Sequence, residues 1–149
     1  MAHNIKINNM RTIKFRGKSI CESRWIFGDL FRTDLDGDVS IQFYDEEDGW
    51  MTAIVQPETV GQFTGFYDRK RQEIYEGDII TYLNHRIDGT GFLEQGKVEW
   101  RQEEGCYVFV NRFPTKDNRE LVMPLIHCKE ITVVGNIHDN PELMKGGEK

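Results

Sequence analysis

The sequence predicts a mainly β protein, an N-terminal β subdomain followed by a small SH3-like β-barrel, with helix limited to single turns. Short stretches such as Val39-Ser40-Ile41-Gln42-Phe43 alternate apolar and polar residues. That period of two lines one face of a strand. Turn-forming Gly, Asp, Asn and Pro separate these stretches roughly every ten residues, the rhythm of a small barrel or roll. Aromatic residues make up 11% of the chain, and many stand beside Val, Ile and Thr, which favours strands.

Residues 1–9, MAHNIKINN, are polar and aperiodic and are expected to form a flexible extension. The N-terminal subdomain is assigned to 10–71. Within it Ile13 and Phe15, then Trp25 and Phe27, alternate with polar neighbours, and Gly17 is read as a turn glycine. Trp25–Leu30 reads as an aromatic strand entering a Gly28-Asp29 turn. The Val39–Phe43 strand is bounded by Asp36-Gly37 and by Asp45-Glu46-Glu47-Asp48-Gly49, both suited to tight turns. Thr52–Val55 is the next strand. Pro57 to Gly61 has the proline-first, glycine-last form of one helical turn, and Arg69–Gln72 is a charged connector.

The C-terminal SH3-like subdomain is assigned to 72–149. Gly77-Asp78 turns into a β-branched strand, Ile79–Tyr82. His85 to Gln95 is expected to be a glycine-rich loop. Strands follow at Lys97–Arg101, Tyr107–Val110, Leu121–Ile126 and Ile131–Val134, giving about five strands after Gly77, which fits an SH3-like barrel. Asn140-Pro141-Glu142 signals the start of a short helical turn. Trp25–Leu30 and Ile74–Ile79 share an apolar-x-x-Gly-Asp-aliphatic form that reads as either a weak internal echo or chance.

A chain of 149 residues buries about 70% of its unfolded surface and needs no staples. Its net charge of −6 argues against strong non-specific binding of polyanions. Cys21, Cys106 and Cys128 are odd in number and form no CxxC pair, which points to a reducing compartment. No run is long and apolar enough for a membrane span, and no apolar leader is present at the N-terminus. A cytoplasmic location is expected.

Several constellations have a plain structural reading. Gly91 to Lys97 matches G-x-x-x-x-G-K, but Val98 stands where a phosphate loop needs Ser or Thr, so a hairpin loop is favoured. Asp34-Leu35-Asp36-Gly37-Asp38 has its glycine in the fourth place, not the sixth of a calcium loop, and reads as an acidic turn. Cys106, His127, Cys128 and His138 lack the paired short spacing of zinc ligands. No cofactor or metal is expected.

Charge is uneven. Residues 11–32 carry six bases against two acids, and residues 33–63 carry eight acids and no base. Lys14, Arg16, Lys18 and Arg24 interleave with Phe15, Trp25 and Phe27, a pattern able to stack and neutralise single-stranded nucleic acid. Alternation is expected to put the aromatics on one strand face and the bases on the other, as in an ordinary half-buried strand. Trp50 follows a turn and is either core or contact surface.

Several phrases in order resemble the YopX family. They are Ile13–Lys18, Trp25–Leu30, Pro57–Gly65 with Asp68, Ile74–Ile79, Gly96-Lys97-Val98, and Val134–Leu143. Together they run from Met10 to Leu143. The resemblance implies a phage or prophage origin, an N-terminal β region and a C-terminal SH3-like barrel. It brings no catalytic residues.

Three functions follow in order of preference. The first is a non-enzymatic phage accessory module acting through protein contacts, with its own copies and a host or phage protein as partners. The second is a nucleic-acid-binding module using Lys14, Arg16, Lys18 and Arg24, with Trp50 on the same candidate surface. The third is an enzyme built on Cys106 or His127. Fold alone does not choose among them.

Overall fold

The computed structural model describes residues 10–32, 37–112 and 120–145. The expected N-terminal extension and the Asp34–Asp36 part of the acidic turn lie outside these residues. The chain forms two compact units that divide after Gly65. Each is built on antiparallel β-sheet, so the protein is mainly β.

The first unit contains β1 (Phe15–Lys18), β2 (Trp25–Arg32), β3 (Val39–Asp45), β4 (Gly49–Val55) and most of β5 (Gly61–Tyr67). Their order is β4-β3-β2-β1-β5. Ile26, Val39, Ile41 and Val55 form the core, with Phe15, Leu30 and Phe43 packed against them. Gly17 and Gly28 were expected in turns, but both lie inside strands. The reason is packing rather than turn chemistry. A Cβ on Gly28 would meet the Gln42 carbonyl oxygen at 2.0 Å, and one on Gly17 would meet Val55 Cγ2 at 2.9 Å. The sheet draws closer at these positions than any side chain allows.

A 3₁₀ turn at Pro57–Thr59 joins β4 to β5, where one helical turn was expected. Thr59 fixes it: its hydroxyl donates to the Gln56 carbonyl at 2.7 Å and accepts the Lys18 N–H at 2.8 Å. The C-terminal end of β4 is tied back to β1. Ile20 N–H donates to the Ile54 carbonyl at 3.1 Å, and Gln56 N–H donates to the Lys18 carbonyl at 2.8 Å.

The second unit contains β6 (Glu73–Tyr75), β7 (Asp78–His85), β8 (Gly91–Arg101), β9 (Cys106–Arg112), β10 (Glu120–Pro124) and β11 (Lys129–Asn136). Five of these form one sheet in the order β10-β9-β8-β7-β11. The sheet is not a closed barrel. Its last strand instead returns beside its first, and a 3₁₀ turn at Leu125–His127 precedes that strand. The first unit has the same plan: a meander of four strands, a 3₁₀ turn, then a fifth strand beside the first.

Tyr107, Val108, Phe109 and Val110 are all buried, so β9 faces apolar surroundings on both sides. Its Phe109 meets Tyr82 edge to face with centroids 4.7 Å apart. The predicted glycine-rich loop at 85–95 is smaller than expected. β7 runs to His85, β8 starts at Gly91, and only 86–90 turns, led by Asp88-Gly89. Gly96 is a packing glycine, since a Cβ there would meet the Val110 carbonyl oxygen at 2.4 Å. The Leu121–Ile126 strand stops at Pro124 because the chain enters the 3₁₀ turn. Asn140 does not cap the turn at Pro141–Met144. Its side chain instead accepts the Asn136 N–H at 3.2 Å.

Candidate functional site

The site begins with strand register. In antiparallel pairs, residues directly opposite share a face. Phe15 opposes Gly28 and Gly17 opposes Ile26, which directs that set into the core. Arg16 opposes Phe27 and Lys18 opposes Trp25, so these four share the outer face. The expected separation of aromatics from bases therefore holds for Phe15 and fails for Trp25 and Phe27. Ile26, not its aromatic neighbours, takes the core position in β2, and the period of two sends Trp25 and Phe27 outward. Phe27 is 45% exposed while Ile26 is 4% exposed.

The same register extends this face. Asp29 lies opposite Gln42, and Tyr44 lies opposite Trp50. Arg24, Trp25, Phe27, Asp29, Gln42, Tyr44 and Trp50 surround an open groove of about 420 Å³. Tyr44 and Trp50 are 62% and 66% exposed, and their rings meet edge to face at 5.5 Å and 74°. That arrangement suits the ring quadrupoles and orders both rings before any ligand arrives.

The five residues singled out from sequence have different positions. Arg16 is buried, with its guanidinium 4.6 Å from the Trp25 ring centroid. The Lys18 ammonium lies 5.7 Å from the same ring. Both hold Trp25 by cation–π attraction. Arg24 lines the groove and pairs with Glu22 at 2.6 Å. Trp50 forms its far wall. Lys14 precedes β1, is half-buried, and uses its carbonyl to accept the Phe63 N–H at 2.8 Å. Sequence reasoning missed Tyr44 and Gln42 as members of this face. The signal was present: the Asp45–Gly49 turn sets Tyr44 opposite Trp50.

The groove is electrically polarised. Beside Tyr44 and Trp50 lies the acidic turn Asp45–Asp48. The Asp45 carboxyl accepts the Glu47 N–H at 2.8 Å and the Asp48 N–H at 3.0 Å. Those two donors, with the Arg24 charge adding a lesser effect, hold its carboxyl below the usual range. Arg24, close enough to act on Asp45, lines the groove between that turn and the Arg16 and Lys18 cations beside Trp25.

In the second unit, Cys106 is half-buried at the start of β9, and His127 is exposed in the Leu125–His127 turn. Burial pushes the Cys128 thiol up to about 12, away from the reactive thiolate form. Among the described residues no three His, Cys, Asp or Glu side chains gather as metal ligands. Among them also, no helix is long and apolar enough to cross a membrane.

The fold and this groove define a two-unit antiparallel β protein carrying an outward-facing aromatic surface on its first sheet. A family model described as YopX protein matches residues 7–145, and the chain belongs to the YopX family. The comparison with curated proteins returns no match. Among solved structures, the chain is similar to protein EF1440 from Enterococcus faecalis. The identity is 19% and the TM-score 0.48, covering 91% of this chain and 99% of that one.

Proposed function

We propose that this chain is a non-enzymatic interaction module, of phage or prophage origin, that binds a protein partner through the outer face of its first sheet. The groove between Trp25 and Trp50 carries this reading. Exposed, mutually ordered aromatic rings offer large contact area at small entropic cost, the usual make-up of a binding hot spot. The strand order of the second unit, with a 3₁₀ turn before the returning strand, supports an open SH3-like roll as its architecture. The partner is a host or phage protein in the bacterial cytoplasm, or another copy of the chain.

The test is capture from host lysate with the full chain and its Trp50→Ala variant, each with and without nuclease. The expected result is a stoichiometric protein that survives nuclease and is lost with the variant. A partner retained equally by both would remove the groove from the proposal.

One observation favours a second reading, nucleic-acid binding: cations and aromatics share a face. Against it, Glu22 offsets Arg24, and the turn at Asp45–Asp48 places negative charge where phosphates would pass. Tight oligonucleotide binding that weakens steeply with salt would reverse this preference.

A further inference from the structure

We infer that the groove of the first unit takes a proline-rich extended segment carrying a basic residue. This rests on the interaction reading above and names the class of partner.

Three observations lead there. The first is lining chemistry. Gln42, Tyr44 and Trp50 carry N–H or O–H groups among aromatic surface, and Arg24 adds further donors. A proline-rich chain has few N–H groups and leaves its carbonyls unpaired, so it needs donors and flat apolar contacts. The second is span. The groove crosses from β2 to β4, two interstrand steps or about 10 Å. Three residues of polyproline II helix, at about 3.1 Å each, cover that distance. Residues three apart then face the same way, one toward Trp25 and one toward the Tyr44–Trp50 pair.

The third is charge. Asp45, Glu46, Glu47 and Asp48 adjoin the Tyr44–Trp50 end, and Asp29 lines the groove. The Arg24 charge is offset by Glu22. A base beside the proline pair therefore meets the Asp45–Asp48 turn at one end, where four acids stand against the one Arg24 charge. An acidic segment or a phosphate backbone would be repelled there.

The test uses the full chain and a displayed library of random twelve-residue peptides. Selected peptides are then titrated against the isotope-labelled protein while its three indole N–H signals are followed. The expected selection has prolines three apart with a flanking Lys or Arg. Binding should move the Trp25 and Trp50 signals and leave Trp100, in the second unit, in place. Trp50→Ala should weaken binding about tenfold or more, and Glu46→Lys with Glu47→Lys should weaken it for basic peptides only. Unmoved methyl signals of Ile41 and Val55, in the core of the first unit, show that the fold around the groove is intact in each variant. Selection of peptides without proline, such as strand-forming ones, would overturn the inference while leaving an interaction module. The same holds for proline-rich peptides that do not move the groove indoles. No selected peptide, together with no Trp50-dependent partner in lysate, would overturn both.

Discussion

Asp68 is 6% exposed and accepts three backbone N–H groups. Its Oδ1 takes those of Lys70 at 2.8 Å and Gln72 at 2.9 Å, and its Oδ2 takes that of Val133 at 3.1 Å. One carboxylate thus closes the β5–β6 turn and satisfies β11 where its register shifts. Burial alone would raise its pKa, but the Gln72, Val133 and Lys70 donors outweigh burial and hold it below the ordinary 3.8. A carboxyl depressed by folding contributes stability that is complete above its unfolded pKa and is lost as pH falls through the folded value. Asp68→Asn should therefore cost about 1–3 kcal/mol at neutral pH, and the gap to wild type should narrow below about pH 4. Urea titrations at pH 7 and pH 3 check this, and an equal gap at both would refute it. The thiols differ in a similar way. Cys21 is exposed, whereas burial pushes the Cys128 thiol up to about 12 and keeps it protonated at about pH 8. Iodoacetamide followed by mass spectrometry should label Cys21 long before Cys128. The resemblance singles out Asp68, but the residues around it do not show its bond to Val133, which is distant in the chain.

At the scale of elements, strands with clean alternation between strong turns were legible. The strand at Val39–Phe43 and the turn at Asp45–Gly49 follow directly from the sequence pattern. The failures share one cause. Gly17, Gly28, Gly91 and Gly96 all look like punctuation, yet all lie within strands. Gly17, Gly28 and Gly96 are demanded by the close approach of a neighbouring chain segment, which local sequence does not display. The glycines that do turn, Gly49, Gly77, Gly89 and Gly105, have positive φ, and each directly follows an acid. The orientation of the candidate site was missed for a related reason. Trp25 and Phe27 look like core residues, and only the competition with Ile26 for the interior sends them outward. The turn at Pro57–Thr59 supplies an element-scale prediction. Thr59→Val keeps shape but strands the Lys18 N–H, which should cost about 1–3 kcal/mol. Thermal melting checks it, and an unchanged midpoint would show that water replaces the hydroxyl.

Across the whole molecule, the strands β1 to β5 and the strands β7 to β11 share one order and one placement of the 3₁₀ turn. The apparent echo in the sequence does not mark this likeness. Trp25–Leu30 lies on the second strand of its sheet, while Ile74–Ile79 runs from β6 into the first strand of the other. The likeness is in topology, which many sequences satisfy, and is therefore invisible to a search for repeated residues. The mainly β class was legible because alternation and turn spacing extend along the chain. Whether the second sheet closes was not, because closure depends on strand tilt and stagger.

The tie between the Lys18–Ile20 segment and the end of β4 has a consequence for how molecules meet at high concentration. β4 is an edge with neither lysine nor proline along it, the kind of edge that invites fibre growth. The tie closes Ile54 to Gln56 and, among the described residues, leaves Gly49 to Ala53 open. That remainder is shorter than the roughly six-residue segment from which amyloid spines are built. Ile20→Pro deletes the N–H that bonds Ile54 and should lengthen the open edge, so the variant should bind thioflavin and scatter light where the parent chain stays clear. The small bend after β1 thus acts as a guard on solubility, a task separate from anything the aromatic groove holds.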